Sequence, residues 1–363
     1  MKIAIDARFY GTGHTGLGRY TTNVLKFLPK HLQGYTLQVL LRDSEHDQFP
    51  ESKNVEKIHC EIAHYSLSEQ LLLPKLLKDL KSDLLYTLHF NTPILAKIPT
   101  IVTVHDLIKS SFTGRDTTTR SPWLYALKRY GYNQVIKKTL NHASDVIVPT
   151  NTVKNDILSS FPTVPPERIY PIAEAPDDIF RHPVKSDLVL PAKYLLFVGN
   201  AYPHKNLKVL LEAFTRLGDK SLHLVIVAKR SPFLAKSLAP YDQSQIVILS
   251  DLSDSDLVHV YTKAHVLVTP SLMEGYGLVG LESLMVGTPV IASNIPVYRE
   301  VYSVGARPAS PVSFFDPSSS QDLIRAIRSV GANPRIRPLQ FPRSWDDVAK
   351  DIAEVIHARM SSL

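Results

Sequence analysis

The sequence predicts an α/β protein made of two Rossmann-like domains, each a parallel sheet wrapped by helices. Three observations predict it. Short apolar, β-branched runs alternate with helix-compatible segments along most of the chain, as buried parallel strands and their crossovers do. The alternation starts twice as strand, loop, helix: once at Lys2–Asp6 and again at Tyr194–Val198. Between those starts, Pro162, Pro165, Pro166, Pro171, Pro176, Pro183 and Pro191 crowd one stretch, which marks an interdomain linker. The chain has 363 residues, length for about two domains.

In the first half, Lys2–Asp6 is a strand, residues 7–18 a glycine-spaced loop, and Arg19–Pro29 a helix with Val24, Leu25 and Leu28 on one side. The run Gly16-Leu17-Gly18-Arg19 lacks the Gly-x-Gly-x-x-Gly spacing, so no dinucleotide site is read there. Arg19 at a helix start either reaches a phosphate or sits solvated on the surface. Strands follow at Leu37–Leu41 and Lys57–Ile62. Ser68–Lys81 is helical, with Leu73, Leu76, Leu77 and Leu80 on one face. That helix either packs on the sheet or, through Lys75, Lys78 and Lys81, touches lipid. Asp83–Leu88 and Thr100–Val104 are strands. His105 stands at the carboxyl end of the second, where ligands of open α/β sheets lie; a structural histidine is the competing reading. Lys109–Ser121 is polar and poorly patterned, the composition of an acceptor loop. Trp123–His142 is a helix, Asp145–Pro149 a strand, Asn151–Ser160 a helix and Arg168–Ile172 a strand.

The second half begins with the strand Tyr194–Val198, the loop Gly199–Asn206 and the helix Leu207–Leu217. Lys205 precedes that helix as a point charge suited to a diphosphate. Leu222–Ala228 is a strand ending in Lys229-Arg230, and Ile246–Leu249 is another. A short helix runs to Ala264. Then comes the most informative stretch: the strand Val266–Val268, a loop holding Glu274, Gly275, Tyr276 and Gly277, a helix Leu278–Val286, Gly287 at its end, Pro289, and a strand opening at Val290. Glycines there let backbone approach a ligand, and a helix that starts just after them aims free N–H groups at it. That is an anion site, most naturally for phosphate. Glu282, one turn into the helix, suits paired ribose hydroxyls. Glu274, in the loop, suits sugar hydroxyls or a developing positive charge. Glutamates that merely cap a helix are the plain alternative. Ser318–Val330 and Ser344–Met360 are the last helices.

Composition removes other classes. A net charge of +7 fits anionic partners. The basic residues are spread out, with no basic–aromatic interleaving, so nucleic acid is not expected. Cys60 is the single cysteine, so neither an intrachain disulfide nor a Cys-x-x-Cys zinc site is available. The 14 histidines show no His-Glu-x-x-His spacing, and no metal site is expected. There is no apolar run of about 18 residues and no signal-peptide pattern. The expectation is a cytoplasmic protein, with peripheral contact at the inner face of an anionic membrane also allowed. Of only 15 glycines, Gly11, Gly13, Gly16 and Gly18 fall in one place and Gly275, Gly277, Gly280 and Gly287 in another, which marks two loops with demanding backbones.

Four ordered motifs resemble the retaining GT4 glycosyltransferases of GT-B fold. They are Ile5-Asp6-Ala7-Arg8 with Thr15–Tyr20, Val104-His105-Asp106, Val198-Gly199 with Pro203–Asn206, and Glu274-x7-Glu282 followed by Gly287–Ser293. The subfamily resembles bacterial mannosyltransferases of polysaccharide assembly. The resemblance implies a first, acceptor domain over 1–175, a linker over 176–193 and a donor domain over 194–343. It implies that the two domains face across a cleft and that the last helix, 344–363, crosses back to the first. It implies that Glu282 binds the nucleotide ribose and Glu274 holds the donor hexose near the reacting carbon. Lys205 and the amides around Gly277, Leu278 and Val279 would hold the diphosphate, and His105 would sit beside the sugar. Gly16, Gly18 and Arg19 would close over the phosphates, with Gly199, Asn200, Gly275 and Tyr276 also lining the donor. The family often has arginine at Asn200 and a basic residue at His204, so one cationic contact is missing, for which Lys229 or Arg230 compensates.

The implied reaction moves a hexose, mannose from GDP-mannose in the favoured reading, to a glycan or lipid-linked acceptor, with retention and with neither metal nor cofactor. Alternatives are a UDP-, ADP- or dTDP-sugar donor, a non-catalytic nucleotide-sugar binder, or an epimerase or phosphorylase of the same fold.

Overall fold

The structure, a computed structural model, describes the chain except residues 12, 14, 113–121, 183, 304–310 and 333, and the side chains at 15, 122, 124, 125, 127 and 128. It divides into two compact units. Unit 1 comprises Met1–Leu107, Arg120–Glu174 and Trp345–Leu363; unit 2 comprises Ile108–Thr119 and Ala175–Ser344.

Unit 1 runs β1 (Lys2–Asp6), α1 (Thr15–His31), β2 (Thr36–Leu41), α2 (Asp43–His46), β3 (Val55–His59), α3 (Leu67–Asp79), β4 (Leu84–Thr87) and β5 (Thr100–Thr103). After α4 (Ile108–Ser111), which belongs to unit 2, come α5 (Pro122–His142), β6 (Asp145–Val148), α6 (Asn151–Ser160) and β7 (Ile169–Pro171). The strands form one parallel sheet in the order β3-β2-β1-β4-β5-β6-β7. Its order reverses between β1 and β4, so loops after those strands diverge and leave a crevice at their carboxyl ends. On one face, Leu73 and Leu77 of α3 pack on Ala4, Leu40 and Leu85 of the sheet. The C-terminal helix Trp345–Met360 lies in this unit, against α1. Asp346 takes Lys30 at 2.5 Å and His31 at 2.7 Å, and Arg359 grips Asp145 with two bonds of 2.8 and 3.0 Å. Trp345 meets the edge of Tyr20 at 5.6 Å.

Unit 2 runs β8 (Tyr194–Val198), α7 (Leu207–Leu217), β9 (His223–Val227), α8 (Pro232–Leu238), β10 (Ile246–Leu249), α9 (Asp254–Lys263), β11 (Val266–Thr269), α10 (Leu278–Met285), β12 (Val290–Ser293), α11 (Pro296–Tyr302), β13 (Val312–Phe315) and α12 (Ser320–Ser329); the C-terminal helix is α13. Its parallel sheet has the order β10-β9-β8-β11-β12-β13, reversing between β8 and β11. Leu195, Phe197, Leu224, Ile226 and Val268 of the sheet share one core with Leu207, Leu210 and Leu211 of α7. Residues 176–193 lie in this unit, where Phe180 is buried with its ring edge on Tyr261.

Two parts differ from the sequence reading. Gly16 and Gly18 are not loop: α1 begins at Thr15, four residues before Arg19, and holds both glycines in its first turn. Glycine is tolerated there because the first N–H groups of a helix have no intrahelical acceptor. The helix is then fixed by burial of Tyr20, Val24, Leu25 and Leu28. Of the segment Lys109–Ser121, residues 109–111 lie in α4 and 113–121 fall outside the described residues.

Candidate active site

The site in unit 2 is built from the two loops that leave β8 and β11, the strands flanking the reversal in strand order. Gly199 ends β8 with φ +143°, a conformation L side chains rarely adopt, and its N–H donates to Val227 O at 3.0 Å. The chain then makes one 3-10 turn, Pro203–Lys205, and enters α7 through Asn206 in the left-handed region (φ 52°). Asn206 holds that conformation because its amide donates to Pro270 O at 3.1 Å and Pro317 O at 2.8 Å. Leu272 N–H donates to His204 O at 2.7 Å. The β8 and β11 loops are therefore tied to each other before any side-chain chemistry is considered.

On that frame Lys205 Nζ donates to Glu274 Oε1 at 2.6 Å. Ser271 Oγ donates to the same oxygen at 2.7 Å and Tyr298 OH at 3.2 Å. Burial opposes ionisation of Glu274, but Lys205 and Ser271 outweigh it and hold the carboxyl below its usual range. With its proton given to Glu274, Tyr298 OH accepts from Thr269 Oγ1 at 2.5 Å, and burial, with Glu274 beside it, pushes the phenol well above its usual value. It therefore stays a neutral donor.

Three residues on, Gly277 takes φ +99° and caps α10. Tyr302 OH donates to Gly277 O at 2.7 Å. The two tyrosine rings of α11 stack at 5.0 Å and fill the space over the turn. A Cβ on Gly277 would lie 2.6 Å from Tyr298, and one on Gly280 would lie 2.3 Å from the Tyr302 hydroxyl. The N–H groups that open α10 follow directly on the loop that carries Glu274, the partner of Lys205. One turn on, Glu282 is half-buried and accepts from Tyr261 OH at 2.7 Å.

The other predicted residues fall in graded positions. Gly275, Leu278 and Val279 are half-buried around the turn, and Tyr276 is buried. Asn200 is half-buried beside Gly199, while Lys229 and Arg230 are exposed at the end of β9, one strand over. His204 supplies no charge: burial, then the neighbouring Lys205, push its imidazole down to about 4.

In unit 1, His105 follows β5. Its Nε2 faces Leu88 O at 3.0 Å and its Nδ1 faces Glu174 Oε1 at 3.3 Å, with the Tyr20 ring edge-on at 4.4 Å. A carbonyl can only accept, so Nε2 carries a proton. Burial disfavours the imidazolium, but Glu174 and Leu88 prevail and raise the pKa. Both ring nitrogens are thus engaged by partners within unit 1.

Sequence reasoning missed Ser271, Tyr298, Tyr302, Tyr261 and Glu174. Tyr298 and Tyr302 sit on a seven-residue helix opened by Pro296, too short to announce itself by periodicity. Gly280 held the one available signal: a glycine inside an apolar helix marks a close neighbour. Sequence reasoning also missed a buried cluster under the carboxyl end of β1. Arg8 bonds Asp6 at 2.6 Å and Glu69 at 2.7 Å, with neither the Arg8 nor the Glu69 side chain exposed. Asp6, His64 and Glu69 offer ligand atoms within 4.8 Å of one another, but the cation between the carboxylates is Arg8.

Two family models cover nearly the whole chain: Glycosyltransferase Family 4 over residues 14–175 and Glycosyl transferases group 1 over residues 178–352. The chain is a GT4 glycosyltransferase. Its sequence is 28% identical over 276 residues to the O-antigen chain mannosyltransferase RfbU of Salmonella typhimurium, covering 73% of this chain and 70% of that protein. It is 25% identical over 348 residues to O-antigen chain mannosyltransferase B of Escherichia coli, covering 86% and 87%. Against the serotype-specific mannosyltransferase WbdA of Escherichia coli the match spans 28% of that longer protein. Among solved structures, the glycosyltransferase WaaG of lipopolysaccharide biosynthesis matches with a TM-score of 0.65 at 16% identity, covering 97% of this chain and 95% of that one. Sucrose-phosphate synthase from Thermosynechococcus elongatus matches with a TM-score of 0.68 at 18% identity over 100% and 98%. These likenesses make the fold GT-B. Among the described residues, no helix of this GT4 enzyme is long and apolar enough to cross a membrane.

Proposed function

We propose that this GT4 enzyme transfers mannose from GDP-mannose, with retention of configuration and without a metal ion, to a glycan or lipid-linked acceptor in polysaccharide assembly. The observation that carries the donor site is Lys205 paired with Glu274 beside the N-terminus of α10. As the bond to the anomeric carbon breaks, negative charge builds on the leaving diphosphate, and fixed positive groups must already face it. Lys205 has three N–H donors, so it can keep Glu274 while reaching a phosphate oxygen. The α10 amides do the same without reorganising. Glu274, kept ionised, then meets the hexose hydroxyls next to a carbon that gains positive character. Glu282 takes the ribose hydroxyls, steered by Tyr261.

His105, with Nε2 on Leu88 O and Nδ1 on Glu174, has neither nitrogen turned to a substrate and is poorly placed as a general base. That supports front-face attack, in which the leaving phosphate accepts the acceptor's proton. Mannose is supported by the mannosyltransferases among the relatives. Contact with an anionic membrane is supported by α3, where Leu67, Leu71 and Leu72 are exposed by 83%, 64% and 51% next to exposed Lys75 and Lys78.

The test is a thermal-shift screen over GDP-, UDP-, ADP- and dTDP-sugars, followed by NMR of the product anomer. GDP-mannose at a hundredfold its Kd should stabilise by about 2.7 kcal/mol, and the α-donor should give an α-product. A shift with another nucleotide alone, or an inverted anomer, overturns this reading.

A further inference from the structure

Unit 1 carries an aromatic cluster that no step above uses. Phe9 follows β1, His64 and Tyr65 follow β3, and His89 and Phe90 follow β4. Their rings form one continuous set. Phe9 stacks on His64 at 3.7 Å, Tyr65 stands edge-on to His89 at 5.7 Å, and His89 meets Phe90 at 4.1 Å. β3 is the edge strand, with β2 and β1 between it and β4. The chain after β3 therefore crosses the tops of two strands to bring Tyr65 to the β1/β4 reversal, the crevice where open α/β sheets bind ligands.

Tyr65 is held there against its own backbone preference. Its φ is +57°, uncommon for a bulky residue. Three contacts fix it. Its N–H donates to Glu69 Oε2 at 2.9 Å, Ser66 caps α3 through Glu69 N–H at 3.1 Å, and its hydroxyl meets His89 Nε2 at 3.1 Å. Glu69 is in turn locked by Arg8 and by the Asn91 amide. Packing alone does not explain the arrangement, because the residue so carefully held is 52% exposed.

We propose that Tyr65, backed by His89 and Phe90, is the stacking platform for a neutral pyranose of the acceptor. A pyranose presents a face of C–H bonds, weakly positive, which matches the negative face of an aromatic ring. The buried Asp6–Arg8–Glu69 cluster then has a purpose: it fixes the loop that presents the ring. The proposal rests on the transferase reading only for the identity of the sugar as acceptor.

The test is saturation-transfer NMR with aromatic irradiation, using methyl α-mannopyranoside, methyl α-glucopyranoside and methyl β-galactopyranoside as probes and no donor present. Tyr65→Gly removes the ring and suits the positive φ, so the fold is kept and the unfolding midpoint does not fall; Tyr65→Phe keeps the ring. At least one glycoside should show transfer with the native protein and with Tyr65→Phe. The signal should weaken about two- to tenfold in Tyr65→Gly, the size of an aromatic stacking contact. Equal signals in Tyr65→Gly, or no transfer to any of the three with the native protein, overturn the proposal. So does a Tyr65→Gly variant that loses binding to phosphatidylglycerol vesicles while its sugar signals are unchanged. The donor reading is scored separately, because Lys205→Ala should remove the GDP-mannose thermal shift and leave the glycoside signals as they were.

Discussion

Lys205 Nζ and Glu274 Oε1 lie 2.6 Å apart, although 69 residues separate them. They meet because the loops after β8 and β11 are stitched by Asn206 and by the Leu272–His204 backbone bond. Glu274→Gln keeps the shape and removes the charge. Transfer should fall about 100-fold or more, the loss expected when a group that meets developing charge is neutralised. Donor binding should change far less. Steady-state kinetics checks this; equal losses in kcat and donor affinity would reassign Glu274 to ground-state binding.

The α11 tyrosines predict a stability effect remote from any ligand. A methyl on Gly280 has no room beneath the Tyr302 hydroxyl. Gly280→Ala should destabilise by about 1–3 kcal/mol through overpacking, read by urea unfolding. Tyr298→Phe removes one of three donors to Glu274 and should cost about 1 kcal/mol while lowering kcat more than donor affinity.

The two site histidines should titrate in opposite directions. His204 is pushed down to about 4, so the unfolded chain binds its proton first, and stability falls as pH drops from 6.5 toward 4. His105 is raised, so its contribution is full below 6.5 and is lost as pH rises through its folded value. Imidazole NMR titrations of the native protein against His204→Asn and His105→Asn assign each curve. A His204 that titrates near 6.5 would contradict the burial argument.

The exposed α3 leucines predict lipid binding. Changing Leu67, Leu71 and Leu72 to serine should lower co-sedimentation with phosphatidylglycerol vesicles by on the order of tenfold or more. Salt should weaken the native binding, given Lys75 and Lys78 on the same helix. Unchanged sedimentation would remove the membrane from the account.

Much of this was legible in the sequence, for physical reasons. β1, β4, β8 and β11 are short apolar runs, and strand burial on both faces writes itself as composition. Lys205, Glu274, Gly277 and Glu282 sit at fixed offsets from strand and helix ends, so local spacing located them. What failed was what depends on partners distant in sequence. Gly16 and Gly18 looked like loop because glycine lowers helix propensity, yet tertiary burial of Tyr20 and Val24 carries the helix through them. Gly280 clusters in sequence with the loop glycines, yet it lies inside α10 and its reason is Tyr302. His204 stands where the resemblance implies a basic residue, and burial beside Lys205 pushes its imidazole down to about 4.

The central claim is that the β8/β11 crevice of unit 2 is the donor site, with Lys205 as its fixed cation. Calorimetric titration of GDP-mannose into the native protein and into Lys205→Ala tests it most directly. Loss of a charge-assisted contact to the diphosphate should weaken binding by about 1.5–3 kcal/mol, roughly ten- to a hundredfold. Equal affinity in the two proteins would contradict the assignment.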